Sequence, residues 1–180
     1  MSQSASKGIS NENDSVGNVQ QFLTFVLNDE TYGVGILDIR EIIEYDDLTV
    51  VPLMPDFISG VINLRGNVVP VVNLARRFGH QAKEIGKRTS IVIINIEGTE
   101  GDGVEVGMVV DIVNEVIELA SSDIAAAPTF GAKIRTDFIQ GMGKIDDKLM
   151  ILLDVNNVLS VNELSSVTNI VDELNPPPIE

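Results

Sequence analysis

The chain has 180 residues, 44% of them hydrophobic, with no cysteine and a formal net charge of −15. That is enough apolar material for one domain or two small ones, while disulfides, thiolate metal sites and cysteine nucleophiles are excluded together. A field of that sign repels nucleic-acid phosphates, so nucleic acid is not an expected partner.

In chain order, residues 1–18 are rich in Ser, Asn and Gly, carry no apolar h-region of a secretion signal, and read as a disordered N-terminal arm. FLTFVLN from Phe22 is a strand that ends at the turn-forming Asn28-Asp29. GVINLRG from Gly60 and VVPVVNL from Val68 flank an Arg-Gly-Asn turn and read as a hairpin. LARRF from Leu74 supports a turn or two of helix. A basic cluster follows (Arg76, Arg77, Lys83, Lys87, Arg88), which reads as a solvated helix end and loop, with a docking face for an acidic partner as the sharper alternative. TSIVIINIE from Thr89 is a β-branched strand, EGTEGDG (Glu97 to Gly103) a loop, and VEVGMVVDIVNEVIEL one long β-branched stretch. GMGKI and KLMILLDV pair across Asp146-Asp147, and the segment Asp154 to Leu159 supports another short helix. Residues 162–180 form a loose acidic tail ending in a Pro-rich run. No apolar run approaches the ~20 residues of a membrane helix, so direct membrane insertion is not expected. Abundant Val and Ile with only 4% aromatics favour small β-barrels over a helical bundle.

Self-comparison exposes a repeat. An offset of 81 lays Phe57–Val61 on Phe138–Met142 and Val69–Leu74 on Met150–Val155 without a gap, with Phe57, Ile58 and Gly60 meeting identical residues and Asn73 meeting Asp154. An offset of 74 lays Gly33–Glu44 on Gly107–Glu118, matching Gly33, Glu41, Ile43 and Glu44 identically. Chance similarity between β-branched strands explains Ile over Val but not two ordered blocks with matching Gly and Glu. The expected organisation is one domain over residues 19–161, with lobe one at about 19–87 and lobe two at about 88–161, joined along a seam. The longer connector of the second copy contains AAAPTFGAKIRT.

Catalytic constellations fail one by one. His80 is the single histidine. EGTEGDG lacks the residue order of a calcium loop, GMGK lacks the rest of a phosphate loop, and GDGVEV opens into a strand without the third Gly of a dinucleotide fingerprint. No G-x-S-x-G elbow is present. The pairs Asp46-Asp47 and Asp146-Asp147 read as solvated turn formers before acid–base candidates. No catalytic residue, metal site or cofactor is expected.

GVINLRGNVVPVVNLARRFG (Gly60 to Gly79), with YGVGILDIREIIE, VGMVVDIVNEVIEL and the closing LMILLDVNNVL, closely resembles the CheW-type chemotaxis coupling family over nearly all of the expected ordered chain. Members often carry Asp where this chain has Asn73. The resemblance implies an all-β fold of two small five-stranded, Src-homology-3-like barrels packed side by side, with short helical turns. It also implies a non-enzymatic scaffold. Its partners would be the cytoplasmic tips of chemoreceptors and the regulatory domain of a chemotaxis histidine kinase, and its location cytoplasmic, recruited to membrane receptor arrays. Neither a kinase region nor a receiver is evident, so the expectation is a stand-alone coupler. The rivals are a coupler for another receptor-like system, such as surface motility, and a small-molecule-binding or enzymatic two-barrel protein.

Three site expectations follow. Ile36 and Ile39 with their repeat mates Val110 and Val113 offer equivalent apolar residues for a groove holding a receptor helix, ordinary core being the alternative. Glu41 and Arg65 are expected to pair on an interaction face with Gly60, Asn63 and Gly66, a solvated turn Arg being the alternative. Gly141 and Met142 in lobe two mark a possible kinase-facing surface.

Overall fold

The computed structural model describes residues 18–97, 103–127 and 134–159. The strands are β1 (Val19–Leu27), β2 (Glu30–Gly35), β3 (Ile39–Glu44), β4 (Ile58–Leu64), β5 (Asn67–Asn73), β6 (Ser90–Glu97), β7 (Gly103–Val110), β8 (Ile112–Ala120), β9 (Ile124–Ala125), β10 (Ile139–Ile145) and β11 (Lys148–Leu153). Two single-turn helices, α1 (Leu74–Arg77) and α2 (Val155–Val158), follow β5 and β11, and 3-10 turns cover Ile36–Asp38, Ser121–Asp123 and Thr136–Phe138. The expected disordered arm (apart from Asn18), the tail 162–180, most of the EGTEGDG loop and part of AAAPTFGAKIRT lie outside the described residues.

Local chemistry sets the turns. Three hairpins close on two residues each, Asn28-Asp29, Arg65-Gly66 and Asp146-Asp147, all with positive φ. Paired positive φ values match the right-handed twist of the flanking strands, which is why Asn, Asp and Gly are favoured there. Arg65, at φ 52, is the long side chain among them. Asn73 and Asp154, aligned by the repeat, both cap helices: Asn73 Oδ1 accepts from Arg76 N–H, and Asp154 Oδ1 accepts from the Asn156 and Asn157 N–H groups.

The strands form two sheets, ordered β8-β1-β2-β11-β10-β9 and β3-β6-β7-β5-β4. Each curls until its edges meet, so we call them barrel one and barrel two. In barrel one Leu119 of β8 lies against Gly143 of β10. In barrel two Glu41 of β3 reaches Arg65 at the β4–β5 turn. Two β-rich lobes are therefore present, the first with a two-residue sixth strand.

The lobes do not divide the chain at residue 87, and this corrects the sequence reading. Barrel two takes residues 39–110, whereas barrel one joins β1 and β2 to β8–β11. The chain crosses between barrels at Ile36–Asp38 and again at Asp111, which splits the expected single stretch VEVGMVVDIVNEVIEL into β7 and β8 in different sheets. The repeat explains the exchange. Matching β1 with β6, β2 with β7, β3 with β8, β4 with β10 and β5 with β11 converts one sheet order into the other. Each barrel thus combines the first two strands of one copy with the last three of the other. Even the isolated Thr49–Val61 bridge has its counterpart in Ala125–Met142.

Exchange puts a core between the barrels. The largest apolar cluster draws Phe25, Tyr32, Val34 and Leu153 from barrel one and Val72, Val92, Ile94 and Met108 from barrel two. Smaller clusters fill each barrel: Val69, Val71, Ile91, Ile93 and Val109 in one, Phe22, Leu119, Met150 and Leu152 in the other. Strand β6 shows the consequence for sequence. Ile91 and Ile93 face the barrel interior while Val92, Ile94 and Ile96 face the shared core, so the strand is apolar on both sides and shows no alternation.

Tyr32 lies in the shared core between Phe25 and Phe78, with ring centroids 5.9 and 5.5 Å away. Burial, with a smaller contribution from the Glu30 charge, pushes its phenol up to about 12. A neutral phenol is favoured in the fold, so the unfolded chain gives up this proton near pH 10 and the folded chain only near 12. The stability linked to Tyr32 is fully present below pH 10 and is lost between pH 10 and 12. Urea denaturation across that window should show a shallower decline for Tyr32→Phe than for the parent. Tyr45, also raised mainly by burial, titrates in both proteins and drops out of the difference.

Candidate functional site

The crossover at Ile36–Asp38 is where the barrels meet the surface. It touches β1 of barrel one and β6 of barrel two. A groove of about 470 Å³ opens beside it, lined on the crossover side by Gly35, Ile36, Leu37 and Asp38 and across from them by Phe22 and Glu118. Ile36 is half-buried, while Leu37 is 97% exposed. A leucine so exposed beside an apolar groove is the kind of side chain a partner covers.

The four expected groove residues separate here. Only Ile36 lines the groove. Ile39 and Val113 are partly buried and pack on the shared core, and Val110 lies fully inside it. Val110 is therefore core, because the end of β7 faces the opposite barrel. The residue the repeat reading missed is Leu37. Leu37 aligns with Asp111 and Asp38 with Ile112, so the repeat breaks down at the crossover itself. Asp111 turns inward to accept the Asn28 N–H at 2.8 Å, whereas Leu37 faces solvent.

Glu41 and Arg65 do come together. Arg65 Nη1 lies 2.9 Å from Glu41 Oε1. That oxygen is shielded from solvent and makes no directed hydrogen bond, so the contact is ionic rather than a bidentate fork. The pair joins the β3 edge to the β4–β5 hairpin. Asn63 and Gly66 belong to the same turn, the Asn63 side chain accepting from the Gly66 N–H at 3.0 Å. A residue held in the left-handed region away from Gly costs ~1–3 kcal/mol and is kept when its side chain is used, and here the turn aims Arg65 at Glu41.

The glycines have another role. Gly60 and Gly141 are buried, and a side chain on either would run into the backbone carbonyl of the bridging segment, Thr49 O or Ala125 O, at 2.5 and 2.9 Å. They permit close approach of strands and are not themselves surface. Met142 is partly buried on the shared core.

The basic cluster splits likewise. The Arg77 guanidinium lies over the rings of Phe57 and Phe138, 4.7 and 5.2 Å from their centroids, and its Nε donates to the Val158 carbonyl at 2.7 Å. Phe57 and Phe138 are repeat mates, so one arginine bridges both copies. Lys83 pairs with Asp29 at 2.8 Å, and this hydrogen bond raises its pKa. Arg76, Lys87 and Arg88 are exposed. GMGK lies within β10, so it is hairpin and not phosphate loop. Asp46-Asp47 is exposed in the loop after β3, and Asp146-Asp147 is the exposed turn of the β10–β11 hairpin. No group of three or more His, Cys, Asp or Glu able to hold a metal occurs among the described residues. What the arrangement offers is shape, apolar contact and one shielded charge pair, which suits recognition of another protein.

These contacts have distinct energetic signatures. Arg65 is 64% exposed and Glu41 31%, so Arg65→Ala should change folding free energy by no more than ~1 kcal/mol. Val110→Asp places an unpaired charge in the shared core and should cost more than ~4 kcal/mol or prevent folding. Chemical denaturation of the two variants checks both.

Known proteins resemble this chain in sequence and in fold. Residues 21–163 match the model of the CheW-like domain. The chain is 38% identical over 151 residues to the chemotaxis protein CheW of Klebsiella aerogenes, covering 84% of this chain and 88% of that one. It is 34% identical to the CheW of Bacillus subtilis over 78% of this chain and 86% of the relative. The crystal structure of the scaffolding protein TtCheW from Thermoanaerobacter tengcongensis superposes with a TM-score of 0.72 at 35% identity, covering 80% of this chain and 90% of that one.

Proposed function

This chain belongs to the CheW-like domain family, and from that premise we propose that it is a non-enzymatic scaffold coupling chemoreceptors to a chemotaxis histidine kinase. The observation that carries this reading is the family match across both barrels, residues 21–163. Similarity to proteins named for chemotaxis, and to one described as a scaffold, supports it. The partners are the cytoplasmic tips of chemoreceptors and the regulatory domain of the kinase. The chain works in the cytoplasm and is recruited to membrane receptor arrays. Among the described residues no helix is long and apolar enough to cross a membrane.

A scaffold performs no chemistry and transmits a signal when the state of one partner changes affinity for another. The crossover groove is the receptor face in this reading. Leu37 and Ile36 supply the apolar anchors, and a helical receptor tip lays its apolar stripe against them. The Glu41–Arg65 pair marks a separate face at the end of barrel two. Covered by a partner, the pair would leave water, and losing one member would then cost ~2–5 kcal/mol of binding although it contributes little to folding. Gly141 and Met142 support a kinase-facing surface on barrel one only through the strands they hold in place.

Leu37→Asp should weaken receptor-tip binding at least about tenfold, with the melting temperature unchanged. Isothermal titration with a receptor cytoplasmic fragment and, separately, with the kinase regulatory domain reads this directly. Retention of receptor affinity with loss of kinase affinity would reverse the assignment of the groove. Failure of the parent chain to bind either partner would remove the coupling role.

A further inference from the structure

The two barrels share a frame but differ at one place, and the difference leaves a site open. In barrel two Glu41 and Arg65 span the gap between the β3 edge and the β4–β5 hairpin. The repeat carries Glu41 onto Glu115 and Arg65 onto Asp146. The backbone is preserved: both edge strands are bulged at this point against their neighbours, and Asp146 has φ 46 where Arg65 has φ 52. The charge is not preserved. Where barrel two pairs a carboxylate with a guanidinium, barrel one places two carboxylates, Glu115 and Asp146, on the lining of one groove.

At that end of barrel one a groove opens. Barrel one closes at the far end of β8, where Leu119 meets Gly143, and opens at the hairpin end into a groove of about 870 Å³. Its walls include Thr24, Glu115, Ile117, Ile145, Asp146 and Leu149. Glu115 is held from below by Thr24, whose buried hydroxyl donates to the Glu115 carbonyl at 2.7 Å and accepts from the Glu115 N–H at 3.2 Å. Leu149 is 65% exposed. Asp29 at the rim is occupied by Lys83, and Lys148 is the basic residue of the lining.

We propose that this groove docks an arginine of a partner protein, carried on a segment with an apolar flank, the guanidinium taking beside Glu115 the place that Arg65 takes beside Glu41. Charge complementarity selects the cation, and the apolar wall of Ile117, Ile145 and Leu149 selects its neighbours. Arginine suits it better than lysine because a planar guanidinium engages two carboxylates from one position. Exposed, such a pair contributes little; sealed by the partner's apolar flank, it becomes a specific contact. Barrel two cannot offer the same site, since its own Arg65 already fills it. The inference rests on the internal comparison and does not depend on which protein docks.

The test uses the full chain and a capped Leu-Arg-Leu peptide, followed by amide chemical shifts in NMR. Shifts should concentrate at Thr24, Glu115, Ile145 and Leu149. The same peptide with citrulline, isosteric but uncharged, should bind at least about tenfold more weakly. Asp146→Arg supplies the missing guanidinium from within, so it should abolish binding while keeping or raising the melting temperature. Glu115→Gln should weaken binding and carries the test if Asp146→Arg does not fold. Equal binding of the citrulline peptide overturns the proposal. So do shifts spread evenly over remote acids such as Asp46, Asp47 and Asp123, or undiminished binding by a folded Asp146→Arg or Glu115→Gln chain.

Discussion

The apolar layer shared by the two barrels is the constraint from which the rest follows. Strands β6, β5 and β11 each present one face to a barrel interior and the other to this layer. A barrel of five or six short strands has little room inside for large side chains, and the smaller clusters show it. Most of the burial, and with it most of the hydrophobic stabilisation, lies between the barrels. Neither barrel is an autonomous unit: each borrows two strands from the other copy, and each covers the outer face of the other's sheet.

That dependence brings the chain to the surface where it changes sheets. At the crossovers the backbone leaves one barrel, passes the shared layer and enters the other. Residues there either turn into the layer, as Val110 does, or remain outside, as Leu37 does. Arg77 is fastened to the same region, its guanidinium over repeat-related Phe57 and Phe138 and its Nε on the last turn of α2. A movement of one copy against the other would have to disturb that contact. Arg77 thus ties the two copies together at the seam.

Internal symmetry gives the molecule two equivalent frames, and departures from symmetry give them different faces. The capping residues, buried glycines and the Arg65-Gly66 and Asp146-Asp147 hairpins coincide between copies because each answers a backbone requirement common to both. The surface residues on that frame are free of this requirement. Glu41–Arg65 against Glu115–Asp146, and Leu37 against Asp111, are differences that leave the fold unchanged and alter what each barrel presents.

The sequence by itself determined the β-rich class, the three tight turns, the two short helices, the Asn73–Asp154 equivalence, the duplication and the family. All of these are local or self-comparative: turn residues, caps and repeat offsets are read along the chain without knowing what lies across it. The Glu41–Arg65 pairing was also within reach, because a hairpin tip and an edge strand leave few partners for either charge. The tertiary structure alone decided the exchange of strands between copies, which removed the contiguous lobes. It alone decided that Val110 is core while Leu37, one residue past Ile36, is exposed, and that the Gly60 and Gly141 positions are close contacts rather than faces. The physical reason is common to these cases. A strand buried on both sides carries no alternation to tell interior from seam, and a repeat read in one dimension gives equivalence without saying which copy's strands pair. The tandem unit legible in the chain is thus real as a pattern of residues, but as folded structure it is shared between two barrels through the apolar layer that joins them.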